Sequence, residues 1–464
     1  MSFNLATYVL NAGQTRPDHP ALIVPGRVRM THGELTDKVA ACAGALRAKG
    51  LSPGDRILLR LGNDPDFPIL FLAACAAGCV PVPTSALLTS SEITGMARRI
   101  APRLVIAHAG VACPDGFEVI APSDLSGAPL PMSRWTTGSP DRLAYIVFTS
   151  GSGGAPKAVA HAHRAVLARK MMHEGWYGLR PDDRVMHAGA FNWTYTLGTG
   201  LLDPWSVGAT AIIPGVETPV EGLPGILAAQ DATIFAAAPG IYRRLMRGAW
   251  PATPALRHGL SAGERLPDAT RQAWQRATGC DLHEALGMSE CSTFVSGSPA
   301  RPAPPGSTGY PQPGRNTRID GECLLISTDD PGLMLGYWQD GAPVPPAGDW
   351  FDTGDRVRAL SDGALVHLGR RDDILNPGGY RVSPQEVEEA LADLPVREFA
   401  VGCVEVPGGA TVLAVFYAGA PLDEAAASRM AETRLARYKQ PRMWLRRDSL
   451  PRNPNGKLIR RALK

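Results

Sequence analysis

The sequence predicts an α/β protein: a large N-terminal domain of α/β layers with a small β-rich subdomain, then a small C-terminal α+β domain. Helical and strand signals alternate from the start of the chain, the pattern of layered elements with parallel pairing. At 464 residues the chain exceeds what one core ordinarily serves, so at least two domains are expected. Beyond Pro299 the texture changes to Pro/Gly-rich turns and short strands, which suits the β-rich part.

The elements follow in order. Gly33-Glu34-Leu35 opens an apolar-periodic helix that runs to Leu46, and Asp55 to Leu61 reads as a strand. A helix from Pro68 to Ala77 precedes the strand-like Cys79-Val80-Pro81-Val82-Pro83. The stretch from Ala121 to Asp141, rich in Pro, Ser and Gly, is a loop leading to the apolar strand Tyr145-Ile146-Val147-Phe148. Alternation resumes with a strand at Ala209 to Pro214, a helix at Val220 to Ala229, a strand at Thr233 to Phe235 and a helix at Gly240 to Arg247. Glu322 to Ile326 is a short strand of the β-rich part. The strand Ala364 to Leu368 runs into Gly369-Arg370-Arg371-Asp372-Asp373, where four successive charges mark a boundary between domains 1–370 and 371–464. Past it lie a helix (Ser383 to Leu391), strands (Glu398 to Val406, Thr411 to Tyr417), a helix (Asp423 to Arg437) and a basic tail.

Composition narrows the function. Hydrophobic residues make up 44% and charged residues 20%, as in ordinary globular chains. A net charge of +3 offers no basic footprint for nucleic acid, so none is expected as a partner. No run of about 18 apolar residues occurs, so no membrane span is expected. The opening Met1-Ser2-Phe3-Asn4-Leu5-Ala6 lacks the basic and apolar regions of a secretory signal, and eight scattered cysteines read as free thiols in a reducing cytoplasm. Cys75 and Cys79 are spaced as metal ligands on one helix face could be. With no further ligand cluster beside them, packing is their expected role.

The apolar strand ends in Thr149-Ser150-Gly151-Ser152-Gly153-Gly154-Ala155-Pro156-Lys157. Gly151, Gly153 and Gly154 let backbone N–H groups approach an anion closely. Thr149, Ser150 and Ser152 add hydroxyl donors, and Lys157 adds positive charge for phosphate oxygens. The Walker pattern ends in Gly-Lys-[Ser/Thr], whereas Lys157 is preceded by Pro156 and followed by Ala158, so an ordinary P-loop fold is not supported. Far downstream a second basic loop, Pro454-Asn455-Gly456-Lys457, lies close to the end of the sequence.

The run Thr149 to Lys157 resembles the Ser/Thr/Gly-rich loop of the adenylate-forming superfamily, which includes acyl- and aryl-CoA synthetases, carrier-protein-loading adenylation domains and luciferases. Five further segments fall in that family's order. Ser261-Ala262-Gly263-Glu264 resembles its adenine-side loop, and Leu286-Gly287-Met288-Ser289-Glu290 its Mg²⁺-holding segment. Thr353-Gly354-Asp355 resembles its ribose-binding segment. Gly369 to Asp373, with Gly378-Gly379-Tyr380-Arg381-Val382, resembles its hinge and following loop, and Pro454 to Lys457 its catalytic lysine loop. Gly153 and Ala158 replace the family's usual threonine and glycine. Leu286 stands where many members carry an aromatic, which leans the resemblance toward benzoate-type acid–CoA ligases.

The resemblance implies ATP, Mg²⁺ and coenzyme A as reactants, with a small carboxylic acid activated as an acyl-AMP. It implies nucleotide contacts from Thr149 to Gly154, Lys157, Gly263, Glu264, Gly287, Ser289, Asp355 and Arg381. Glu290 is then a Mg²⁺ ligand, since hard oxygen donors suit that ion. Asp355 holds the ribose hydroxyls, and Arg370 reaches ribose or phosphate. Lys457 bridges the acid and the α-phosphate. Because Lys457 cannot stay while a thiol enters, the C-terminal domain is expected to be mobile, pivoting at Asp372 and bringing Gly378 and Gly379 in to form a narrow thiol tunnel.

Phe191-Asn192-Trp193-Thr194-Tyr195-Thr196-Leu197-Gly198 is the candidate acyl wall. Phe191, Trp193 and Tyr195 suit an aryl or compact hydrophobic acid, Asn192 could recognise a ring hydroxyl, and core packing is equally open to the aromatics. His163 matches a family histidine and could be a structural hydrogen-bond donor; His161 beside it has no assigned role. Two alternatives to a CoA ligase stand: an enzyme loading an acid onto a carrier protein's phosphopantetheine, and a non-catalytic nucleotide-binding protein. Arg437, Lys439 and Arg442 could meet the CoA 3′-phosphate.

Overall fold

The computed structural model describes residues 2–149, 156–215, 217–373, 375, 377, 382–406, 410–453 and 456–463, without the side chains of Asp372 and Ala410. The chain forms two compact units, one of Met1–Thr317 and Ile326–Phe351, the other of Arg318–Leu325 and Asp352–Lys464.

The first unit is built on three sheets. In a nine-stranded sheet, Pro20–Val24, Thr210–Ile212, Arg184–His187, Ile234–Ala237, His258–Ala262 and Asp281–Met288 run parallel, in that spatial order. Antiparallel strands flank them: Val28–Thr31 at one side, Ser292–Ser296 and Tyr310–Pro311 at the other. A second sheet pairs Val80–Pro83, Arg56–Arg60, Leu104–Ala107 and Val119–Ile120, all parallel. The parallel pairing expected from the alternation of elements is therefore present in both.

Local chemistry explains the helix ends. His32–Ala48 begins with a capping box, in which the Thr31 side chain accepts from Glu34 N–H and the Glu34 carboxylate accepts from Thr31 N–H. Asp66–Ala77 is buried on every side from Phe67 onward, so it has no polar face and lies within the core. It stops at Gly78, at φ +80°, where a Cβ would fall 2.8 Å from the Thr136 side chain. Cys75 and Cys79 are buried thiols directed at the carbonyls of Ala144 and Ser52, and burial pushes the Cys79 thiol up to about 12. They pack and stay protonated.

The third sheet is antiparallel and joins Ala342–Val344, Gly336–Gln339, Lys157–Ala162 and Leu143–Thr149. The strand Lys157–Ala162 was not foreseen from the sequence. It pairs its small apolar residues with the Leu143–Thr149 strand and buries Ala158 to Ala162.

A sheet most of whose residues belong to the second unit orders Thr317–Asp320, Cys323–Ser327, Trp350–Ala359 and Leu365–Arg370. Another joins Glu398–Val406, Ala410–Ala418 and Met443–Arg447. The helices Pro384–Ala390 and Glu424–Arg434 cover the latter sheet through Val387, Ala427 and Ala431, against Val401, Leu413 and Val415. The second helix ends before the expected Arg437, because Leu435 turns extended and drops its side chain into this core.

Candidate active site

In the first unit the hairpin Leu143–Thr149/Lys157–Ala162 closes on the pair Thr149 and Lys157. Strand leads to strand here, whereas a Walker loop feeds a helix. Ser150, Gly151, Ser152, Gly153 and Gly154 lie outside the described residues, as do Gly378, Gly379, Arg381, Pro454, Asn455 and the Asp372 side chain. Lys157 extends its ammonium over the Tyr337 ring, 4.7 Å from the centroid. The Tyr337 hydroxyl donates to Glu290 Oε1 at 2.9 Å.

Glu290 is placed by a tight hairpin. Residues 289–291 turn the chain between Asp281–Met288 and Ser292–Ser296, with a bulge at Leu286/Gly287. Gly287 is required there, because a Cβ would lie 2.5 Å from the Ser292 carbonyl oxygen and the Thr293 Cα. Ser292 itself takes φ +61°, uncommon for a residue with a Cβ. The Glu290 backbone carbonyl accepts from Met334 N–H at 2.7 Å, so the main chain is held here as Tyr337 holds the carboxylate, and the residue is only 8% exposed. One buried hard-oxygen ligand with its second oxygen unengaged among the described residues fits Mg²⁺, which takes few protein ligands and completes its shell with phosphates and water.

Trp193 and Gly263, read separately from the sequence, meet. A Cβ on Gly263, at φ +96°, would be 2.5 Å from the indole edge of Trp193. Glu264 follows in the turn, half-buried. Phe191 packs on Phe67 in the core, with its N–H donating to Asn63 Oδ1 at 2.9 Å. Tyr195 is also buried, donating to the Leu260 carbonyl and stacking on Trp176. Asn192 is half-buried.

Of the expected acyl wall, Thr194, Leu197 and Gly198 line a small pocket of about 20 Å³, room for about one water molecule. Tyr145, His161, Arg169, Ser289 and Ser292 line it too. Arg169 is buried and bidentate on Asp203, at 2.9 and 2.6 Å, with Nη1 donating to Ser292 Oγ at 2.5 Å. Tyr177 also donates to Asp203, at 2.7 Å. Burial alone would lower the arginine pKa; the Asp203 carboxylate outweighs it and holds the guanidinium above its ordinary value. Gly198 makes room for this group, since a Cβ there would sit 1.8 Å from Arg169 Cζ.

His161 Nε2 lies 2.8 Å from the Ser289 carbonyl, and burial lowers its pKa to about 4. His163 was expected as a donor; instead its Nδ1 accepts from Leu5 N–H at 3.0 Å, with the imidazole held neutral by burial, its pKa about 3. It ties down the first helix.

In the second unit Asp355 and Arg370 face each other in register on adjacent strands. Asp355 is buried, with His367 Nε2 3.0 Å from Oδ1 and Arg370 Nη1 3.6 Å from Oδ2. Its N–H donates to Thr353 Oγ1, and Gly354 at φ +76° leaves space that Arg370 fills. Each carboxylate oxygen retains acceptor capacity for a diol.

Lys457 is tied to Asn453 through its backbone. Its N–H donates to Asn453 Oδ1 at 2.9 Å, its carbonyl accepts from Asn453 N–H at 2.8 Å, and Gly456 adopts φ +80°. Arg460, bidentate on Glu388, and the buried Leu463 anchor the segment beyond it. The lysine side chain is exposed.

Sequence reasoning missed Tyr337, His367, Asn63 and the Arg169–Asp203 pair. His367 carried a usable signal, a lone histidine in the strand that leads to Arg370.

Comparison with known proteins places these features in context. The AMP-binding enzyme family matches residues 10–338. The chain is 30% identical to a 3-hydroxybenzoate–CoA ligase of Aromatoleum sp. (strain CIB), over 95% of this chain and 92% of that one. It is similar to the crystal structure of a benzoate CoA ligase from Burkholderia xenovorans LB400, with a TM-score of 0.88 and 29% identity, covering 99% of both chains. The anthranilate CoA ligase AuaEII in complex with anthranoyl-AMP superposes with a TM-score of 0.89 at 25% identity, covering 100% of this chain and 96% of that one.

Proposed function

The chain belongs to the AMP-binding enzyme family, and on that premise we propose that it is an ATP-dependent carboxylic acid–CoA ligase acting on an aryl or compact hydrophobic acid through an acyl-AMP. The observation that carries this reading is Glu290, fixed by Tyr337 under a ring that also holds Lys157. A carboxylate for Mg²⁺ and a cation for phosphate are thereby bound to one side chain at the mouth of the glycine-rich loop.

Joining a carboxylate to the α-phosphate brings two anions together and expels pyrophosphate, so positioning and charge neutralisation dominate the barrier. Bound Mg²⁺ supplies charge neutralisation on the phosphates. Lys157 meets phosphate oxygens from the hairpin, Asp355 accepts from the ribose hydroxyls, and His367 and Arg370 hold Asp355 in place. Lys457 contributes its ammonium to the acid and the α-phosphate as negative charge gathers between them. Ser289, Gly287, Gly263 and Glu264 border the nucleotide from the first unit.

For thioester formation the CoA thiol attacks the acyl carbon, its sulfur–carbon bond forming as AMP leaves with the mixed-anhydride oxygen. The C-terminal domain, residues 371–464, pivots at Asp372 for this step and presents Gly378 and Gly379 to the pantetheine arm. The partners are a small carboxylic acid, ATP and CoA. No helix among the described residues is long and apolar enough to cross a membrane, and the eight free cysteines support a cytoplasmic setting.

The test is pyrophosphate release across benzoates, hydroxybenzoates and short-to-medium fatty acids, with and without CoA. Acid-dependent pyrophosphate with CoA-dependent turnover is expected. Turnover only with a carrier protein would replace CoA as acceptor, and no pyrophosphate from any carboxylate would overturn the reading.

A further inference from the structure

The turn that carries Glu290 is held from several elements at once. The Ser289 carbonyl accepts from His161, the Glu290 carbonyl from Met334 N–H, and the Ser292 hydroxyl from Arg169. Arg315 spans the remainder: Nη2 donates to the Cys291 carbonyl at 2.9 Å and Nη1 to the Thr293 carbonyl at 2.6 Å. It thereby bridges Ser292, the residue at φ +61°. Its Nε donates to both oxygens of Asp330, at 3.0 Å each, and neither side chain of this pair is exposed. Asp330 in turn accepts from Asn316 N–H and Gly332 N–H. Arg164 holds the same loop through the carbonyls of Asp330, Pro331 and Leu333. Gly332 admits the guanidinium, since a Cβ there would lie 2.6 Å from Arg315 Nη2.

A buried ion pair is weak support for stability, because apolar residues of similar volume often serve as well or better. Apolar residues cannot, however, fix two carbonyls two residues apart with one planar, charged fork. That fork is aimed at a single turn, and the turn carries the carboxylate proposed to meet Mg²⁺. We propose that Arg315 is a positioning residue for Glu290. Clamped on Asp330, it holds the main chain from Cys291 to Thr293 and so fixes where the Glu290 carboxylate stands. Tyr337 sets the direction of the carboxylate itself; Arg315 sets the backbone it projects from. The inference rests on the acid–CoA ligase reading and deepens it.

The experiment measures ATP binding to the full chain by calorimetry, over a series of free Mg²⁺ concentrations and in EDTA. Arg315→Lys keeps a positive charge opposite Asp330, but a compact ammonium cannot span both carbonyls. The half-saturating free Mg²⁺ should rise about tenfold, the lower end of what loss of a metal site's supporting contacts costs, while ATP affinity in EDTA stays unchanged. Gly332→Ala retains Arg315 and displaces its Nη2, so it should move the half-saturating Mg²⁺ in the same direction by less. Unfolding midpoints establish that each variant is folded, and Gly332→Ala decides the matter if Arg315→Lys is not. A folded variant with an unchanged Mg²⁺ requirement would overturn the assignment. So would equal weakening of ATP binding with and without the metal, since that is the signature of a structural role alone. Unmodified protein whose ATP binding ignores Mg²⁺, and which releases no pyrophosphate with any carboxylate, would instead remove the ligase reading beneath it.

Discussion

Tyr337 donates its phenolic hydrogen to Glu290 across 2.9 Å, and the same ring lies under the Lys157 ammonium. Tyr337 thus sets, from 47 positions away, the direction of the carboxylate proposed to meet Mg²⁺. Tyr337→Phe keeps the ring and removes the hydrogen bond. A hydrogen bond to a charged group contributes about 1.5–3 kcal/mol, so the loss in adenylate formation should be about 10- to 100-fold. The half-saturating Mg²⁺ concentration should rise, and titrating the metal in a pyrophosphate-release assay checks it. An unchanged metal requirement would contradict the role given to Tyr337.

The buried Arg169–Asp203 pair is expected to dominate local stability. Asp203→Ala leaves the guanidinium uncompensated and should destabilise the protein by about 3–5 kcal/mol, measured by denaturant unfolding. Gly198→Ala pushes a methyl group into the same guanidinium and should cost about 1–3 kcal/mol. A stable, fully active Asp203→Ala protein would show that the pair is dispensable.

Acid sensitivity follows from five buried histidines. Burial lowers His161 and His283 to about 4, and His163, His187 and His258 to about 3, from an ordinary 6.5. The unfolded chain therefore takes up protons below pH 6.5 that the folded chain refuses until far lower. Their stability contribution is complete above 6.5 and is lost as pH falls toward those folded values. Each proton contributes a slope of about 1.4 kcal/mol per pH unit, so stability should fall steeply between pH 6.5 and 5, above the carboxylate range. Denaturation midpoints across that window check it, and a flat profile would contradict the buried neutral state of these rings.

Asp372 lies in the short turn Arg371–Asp373 that follows the Leu365–Arg370 strand. Asp372→Pro fixes one backbone angle at the pivot and should impair thioester formation more than adenylate formation. Equal partial rates before and after substitution would remove the hinge from that position.

The legible parts of the sequence were those written in local pattern. The helix from His32 and the strands Glu398–Val406 and Ala410–Ala418 announce themselves by period, and the Leu286–Glu290 segment by its motif, although not the hairpin that holds it. Lys157–Ala162 did not, because six residues of mostly small side chains have little strand signature until Leu143–Thr149 pairs with them. Arg169 meets Asp203 and His161 meets the Ser289 carbonyl over separations of 34 and 128 residues, so no spacing rule could pair them. Phe191 and Tyr195 were open between pocket and core from sequence; their contacts with Phe67 and Trp176 are core contacts.

Lys457 provides the most direct test, because its N–H is held by Asn453, its side chain is exposed, and it is assigned to one half-reaction only. Rapid-quench measurement of both half-reactions in Lys457→Ala should show acyl-adenylate formation reduced by about 10²–10³-fold, with thioester formation from preformed acyl-adenylate largely retained. Equal losses in the two half-reactions would contradict the account.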